Sequence, residues 1–234
     1  MIKVENIDTW GFEHAIRGMR NPLNSWERSD SSFGYEAYSG EFVPNLRIGE
    51  NDLDLMRRLY VGGQPHRKYL RQIFAVMDIT APLYWWKEFD TYKVGTTANS
   101  CSTMHKIAAK EFTLDDFSHE HLMNDMKSAG TELLDTAGLG TDIIVTPLSW
   151  LNITIGCLNN YRKMYIETND KTWWWQMIQL LPSCYNQRRT VSMTYENVMN
   201  ILDYRQGHKL DEWREFCGIL RELPYIKEIR GENK

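Results

Sequence analysis

Two stretches of this chain carry side chains suited to holding a polar, charged ligand. In the first, Thr91 to Ser102 (TYKVGTTANSCS), hydroxyls, amides and small residues follow one another, with Lys93 as the single cation. Such a segment cannot bury itself, because each hydroxyl or amide taken out of water needs a partner. Just before it, Leu83 to Phe89 supplies the aromatic run Tyr84-Trp85-Trp86 and the charged pair Lys87 and Glu88. Donors and acceptors on a rigid, water-excluding wall are what a ligand site requires. An ordinary Ser/Thr-rich loop has the same composition, so both readings stay open. The second stretch, Thr194 to Arg214, holds Asn200, Arg205, His208, Glu212 and Arg214. Arg205 falls at a helix end before the Gly207 turn, with Asn200 one turn back on the same face. A ligand-contacting Arg and an exposed one favoured by the helix dipole both fit that place. Arg214 lies away from the Phe216/Leu220 stripe of its own helix, free to point at a ligand or a second subunit.

Thr194 to Arg214 resembles the signature helix pair of the flavin-dependent thymidylate synthases: an Asn, an Arg five residues on, then a His and a Glu-x-Arg. Asn200, Arg205, His208, Glu212 and Arg214 hold those places, with one residue fewer between Arg205 and His208. Ala81-Pro82 matches the family's Ala-Pro step, and Asn99 and Ser102 match the Asn and last Ser of its R-H-R-x-x-S-x-N-E-x-S motif if one residue is inserted. The chain departs from the motif elsewhere: the R-H-R triplet reads Thr91-Tyr92-Lys93, the motif Glu reads Ser100, and the Arg after the last Ser reads Met104. Upstream, His66 matches the first of a family His pair, whereas Gln72 stands where the second, flavin-contacting His is expected.

The resemblance implies an α/β (α+β) fold, a mixed sheet flanked by helices, with active sites between subunits of a homotetramer. It implies a reduced FAD that takes electrons from NADPH, and transfer of a one-carbon unit from methylenetetrahydrofolate onto dUMP. Catalytic roles pass to Arg205 and Ser102, and substrate contacts to Arg205, Ser102, Arg214 and Glu88. Flavin contacts pass to Asn200, His208, Tyr92, Lys93 and Asn99, with Lys93 left to replace the Arg pair of the triplet. Two missing Arg residues remove charge-assisted hydrogen bonds of about 1.5–3 kcal/mol each, unless Arg17, Arg20 or Arg188 compensates. FAD is therefore expected only if that loss is made good. A nucleotide-binding or nucleotide-sequestering protein without turnover is the alternative on the same fold.

At 234 residues, 42% hydrophobic and 25% charged, the chain suits one globular domain with a sizeable core. We expect a core over residues 49–223, an extension over 1–48 and a charged, frayed tail over 224–234. A net charge of −4 argues against a nucleic-acid polymer as partner, yet a mononucleotide needs only a few local cations. Cys101, Cys157, Cys184 and Cys217 are widely spaced and read as free thiols of a reducing cytoplasm. The apolar runs are too short to span a bilayer, and no metal site is expected: His119 and His121, on a helix within Leu114 to Lys127, would point apart.

The supporting elements follow from periodicity. Thr9 to Met19 reads as a short helix, with Arg17, Arg20 and the later Arg28 as solvent-facing charges or, less simply, phosphate contacts. Ser25 to Gly40 reads as an ordered loop. Asn51 caps a helix to about Val61, Pro65 starts another through Gln72, and Ile73 to Ile79 is a strand. Thr131 to Asp135 reads as helical before the Gly138/Gly140 loop. Apolar positions at 148, 151, 155, 158 and 161 form a helical stripe. Lys171 to Leu181 is a second helix whose three Trp residues imply burial or subunit contact. Arg188 to Met193 is a short strand, and Asn197 to Tyr204 and Asp211 to Leu223 are helices.

Overall fold

The alternation of Phe74 to Pro82 makes the central strand, because its odd-numbered residues Ala75, Met77, Ile79 and Ala81 are fully buried while those between them are only partly so. The computed structural model describes residues 2–38, 41–125, 131–133 and 143–232. In chain order the strands are β1 Lys3–Trp10, β2 Ser32–Tyr38, β3 Glu41–Arg47, β4 Phe74–Pro82, β5 Thr96–Ser100, β6 Thr131–Leu133, β7 Ile143–Val145 and β8 Asn186–Thr194. The α-helices are α1 Phe12–Arg20, α2 Glu50–Val61, α3 Leu83–Phe89, α4 Thr103–Lys106, α5 Pro147–Thr168, α6 Lys171–Leu180, α7 Tyr195–Arg205, α8 Asp211–Arg221 and α9 Ile226–Arg230. One sheet has the order β1-β4-β8-β5, and β2-β3 and β6-β7 are separate antiparallel pairs. The α/β class with helix-flanked sheets is thus observed. No helix of the described residues is long and apolar enough to cross a membrane.

The chain divides into two compact units, each assembled from three stretches. The boundaries at 48 and 223 do not coincide with them. The first unit comprises Met1–Lys3, Thr80–Asp90 and Ser100–Arg189. Its helical part is built on α5, whose stripe Leu151, Ile155 and Leu158 packs with Met177 of α6 and with Ile107, Phe112 and Phe117. Thr146 caps α5 with its hydroxyl, and Asp170 caps α6. Trp85, Trp86 and Phe89 of α3 are buried against one another, and Trp86 Nε1 donates to the Gln187 carbonyl at 2.9 Å.

The second unit comprises Val4–Ile79, Thr91–Asn99 and Thr190–Lys234. Here α7 packs on α8, and α2 on α9, with Val198, Leu202, Trp213, Phe216, Leu220, Ile226 and Ile229 in the core. Gly11, at φ +95°, precedes α1 where a Cβ would collide with the Gln72 carbonyl, so no other residue fits there.

Several elements differ from the sequence expectation for identifiable reasons. Residues 3–10 form a strand, and α1 begins only after Gly11, not at Thr9. The expected loop from Ser25 contains β2, paired with β3 in the register Ser32↔Arg47 and Gly34↔Asn45; Gly40 lies outside the described residues. Asn51 does not cap α2: Asp30, from a distant loop, accepts from the Asn51 and Asp52 amides at 3.0 and 3.2 Å. Arg67–Gln72 is a 3₁₀ turn. Thr131–Leu133 is a strand, stabilised by pairing with β7, and the Gly138/Gly140 loop is outside the described residues. The His119/His121 stretch is not helical beyond a 3₁₀ turn at Leu114–Asp116, and Lys127 is not described. The segment after Pro224 is not frayed: α9 buries Ile226 and Ile229.

Candidate functional site

Arg205 is aimed by the last turn of α7 into a pocket of aromatic rings in the second unit. Its Nε donates to the Tyr92 hydroxyl at 3.1 Å, and its guanidinium carbon sits 4.9 Å from the centroid of the buried Trp213 ring. Tyr92 and Trp213 are themselves 6.1 Å apart. The guanidinium therefore meets the polar segment that follows Pro82, at Tyr92. A cation over a Trp face is held by the ring's quadrupole. His208 follows on the same turn, its amide bonded to the Arg205 carbonyl at 3.0 Å and its ring 6.1 Å from Trp213. His208 Nδ1 accepts from the Leu210 amide at 3.1 Å, so a neutral ring carries its proton on Nε2.

The polar segment is pinned by a residue that sequence reasoning did not single out. Asn197, buried on the first turn of α7, donates through Nδ2 to the Val94 carbonyl at 2.6 Å and the Thr96 hydroxyl at 2.7 Å. The Thr194 amide donates to the Gly95 carbonyl at 3.0 Å, and Gly95 takes φ +72° with its Cα side against Thr194. The Thr-x-x-Asn spacing at 194 and 197, a helix-cap pattern, was the signal available. Asn99 and Lys93 belong to the same segment and are solvent-exposed, Asn99 on β5.

Tyr92 and Asn200 line one cleft of about 360 Å³ together with Gln64, Arg67, Glu196 and Tyr204. Arg71 holds the Glu196 carboxylate with two hydrogen bonds of 2.6 and 3.0 Å. The hydrogen bond to Glu196 raises the Arg71 pKa. The carboxamides of Asn200 and Gln64 make no hydrogen bond within the described residues, which leaves donors and acceptors facing the cleft.

Other expected residues stand elsewhere. Arg214 is not free: it donates to the His208 carbonyl at 2.7 Å and the Lys209 carbonyl at 3.2 Å and pairs with Asp211, closing the turn before α8. Arg20 is neither solvent-facing nor available to a phosphate, because it is buried against Asp52 at 2.6 Å. Glu88 and Ser102 belong to the first unit, where Glu88 is on α3 and the Ser102 hydroxyl accepts from the His105 amide at 3.0 Å as the cap of α4. Among the described residues no group of three or more His, Cys, Asp or Glu is arranged for a metal.

The architecture is a ThyX-like fold, that of the flavin-dependent thymidylate synthases. The chain is similar to a crystal structure of ThyX from Helicobacter pylori complexed with FAD and dUMP, with a TM-score of 0.63 and 18% identity over 99% of this chain and 98% of that one. A second structure of the Helicobacter pylori enzyme with FAD and dUMP gives a TM-score of 0.64 and 18% identity, covering 100% and 98%. No family model and no curated protein matches the sequence.

Proposed function

We propose that this chain is a divergent ThyX-like protein that binds a pyrimidine nucleotide, with FAD as cofactor, using the cleft of the second unit. The observation that carries the reading is the convergence of Tyr92 and Asn200, from two separate stretches of sequence, at one cleft, with Arg205 bonded to the Tyr92 hydroxyl. The residues present suit the groups such ligands offer. Carboxamides at Asn200 and Gln64 match the alternating N–H and C=O edge of a pyrimidine or flavin ring, tyrosine faces can stack on it, and guanidinium groups suit phosphate. At about 360 Å³ the cleft is at the small end of ligand sites, enough for a mononucleotide or one end of FAD.

When bound, FAD supplies the redox chemistry, here the family's reductive methylation of dUMP with methylenetetrahydrofolate and NADPH. The chain's contribution is position and charge. Arg205, over the Trp213 ring, holds the hydroxyl of Tyr92, a residue that lines the cleft. Asn197 holds the 91–99 segment in register with α7. Lys93, Asn99 and His208, of the same unit, are proposed as further ligand contacts, in the roles set out above.

A catalytically inactive nucleotide-binding protein on the same fold is the second reading. It is favoured by Thr91-Tyr92-Lys93 standing in place of R-H-R, and by an Arg205 whose Nε is spent on Tyr92. An absorbance spectrum of freshly purified protein from about 350 to 500 nm separates the two. A flavin band, released on denaturation, is expected for the enzyme. Colourless protein that does not rebind added FAD but binds dUMP selects the second reading, and protein that binds neither refutes both.

A further inference from the structure

The triplet that the chain lacks leaves its nucleotide cleft short of cations, yet one guanidinium stands at that cleft already oriented. Arg67, on the 3₁₀ turn after Pro65, lies with its Cζ 4.2 Å above the Tyr60 ring and donates Nε to the Tyr60 carbonyl at 2.8 Å. Those two contacts fix the plane of the guanidinium and use only Nε. Its terminal nitrogens make no hydrogen bond or ion pair within the described residues, and the residue lines the same cleft as Tyr92 and Asn200. Glu196, the carboxylate of that cleft, is occupied by the fork of Arg71, which leaves the charge of Arg67 uncompensated there. A half-buried Arg held by stacking and by one backbone acceptor has lost its rotamer freedom in advance, so a ligand meets two free N–H edges in a fixed geometry.

We infer that Arg67 is the phosphate-binding residue of this cleft and sets its preference for a nucleotide over the corresponding nucleoside. The ligand group is a phosphate, either the monoester of dUMP or the pyrophosphate of FAD. This rests on the nucleotide-binding reading above. Neighbours divide the labour: Asn200 and Gln64 offer hydrogen bonds to a ring edge, the exposed Tyr204 offers a face, and Arg67 takes the anion.

Calorimetric titration of the full chain with dUMP, deoxyuridine, FAD and riboflavin, in wild type, Arg67→Ala and Arg67→Lys, tests the assignment. The expected result is a loss of about tenfold or more for the phosphate-bearing ligand in Arg67→Ala. The phosphate-free counterpart should be unaffected, and Arg67→Lys, with charge but no fork, should fall between. The pair that splits identifies the source, dUMP against deoxyuridine for a monoester and FAD against riboflavin for a pyrophosphate. Unchanged affinity for the phosphate ligand in Arg67→Ala overturns the assignment while leaving the nucleotide-binding reading standing. Equal weakening of both members of a pair also overturns it, because Arg67 would then act only through Tyr60. If Arg67→Ala fails to fold by circular dichroism, Arg67→Lys decides alone, a selective loss for the phosphate ligand supporting the assignment and none overturning it. Wild-type protein that binds none of the four defeats the underlying reading itself.

Discussion

Asp52 illustrates how much one buried carboxylate can organise. It accepts from Ser29 and Ser31 hydroxyls at 2.7 Å, from the Asp30 and Ser31 amides at 3.1 Å, and from Arg20 at 2.6 Å. Burial pushes its pKa up, but the hydrogen bonds from Ser31, Ser29 and Arg20 outweigh burial and leave it below the ordinary value. A depressed carboxylate contributes stability that is complete above the unfolded pKa of about 3.9 and is lost as pH falls through the lower folded value. Asp52→Asn strands the Arg20 charge, so it should cost about 3–5 kcal/mol at pH 7 and flatten the loss of stability between pH 5 and pH 2 (range set by roughly two units around that pKa). Urea unfolding across that range checks both, and parallel acid limbs in the two proteins would contradict the mechanism. The thiols give a second check. Burial raises the Cys217 thiol to about 11, whereas Cys101 and Cys157 are exposed. An alkylating reagent on native protein should label Cys101 and Cys157 first and Cys217 last, read by mass spectrometry.

Helix α9 shows why the last residues are ordered despite their charge. Its apolar positions are Ile226 and Ile229, three apart and both buried, a stripe too short to register against Lys227, Glu228 and Arg230. Tyr225 anchors the turn before it. The hydroxyl accepts from the Ile48 amide at 2.9 Å and donates to the Leu46 carbonyl at 3.2 Å. Arg230 completes the attachment, 2.7 Å from Asp203 and 3.1 Å from the Tyr60 hydroxyl. Ile229→Ala should cost roughly 2–5 kcal/mol, and Tyr225→Phe about 1–3 kcal/mol through the stranded Ile48 amide. Equilibrium denaturation measures each, and values near zero would mean the helix is not docked. On the ligand side, Asn197→Ala frees the Val94 and Thr96 partners and should loosen the 91–99 segment, seen as faster amide exchange there than in α8.

Both units are discontinuous in sequence, so neither end of the chain is dispensable. Residues 1–48 contribute β1 to the four-stranded sheet and the buried side chains Phe12, Ile16 and Met19, with Phe12 edge-on to Tyr195 at 5.4 Å. At about 1.5–3 kcal/mol for each large buried side chain, their loss is comparable with a total stability of about 5–15 kcal/mol. A chain beginning at residue 49 should therefore lack a cooperative unfolding transition by circular dichroism. A sharp transition at the wild-type temperature would show the segment to be an independent appendage.

Helices α5, α6, α7 and α8 and strand β4 were legible because their signals are local: a periodic apolar stripe, a Thr or Asp cap, a Pro or Gly stop. Asn200 and Arg205 could be named from their spacing, a local pattern that a known family also uses, whereas Tyr92 stands in the triplet that departs from that family's motif. Strands β1, β2 and β6 and helix α9 were not legible, because each depends on a partner far along the chain, and pairing overrides weak local preference. The same distance dependence hid the site's finer structure. That Asp30 caps α2, that Asn197 clamps the polar segment, that Arg20 is spent on Asp52 and that Arg67 stacks at the cleft follow only once the backbone has brought remote residues within hydrogen-bond reach. A sequence lists charges, but the folded chain decides which are already neutralised and which remain to meet a ligand.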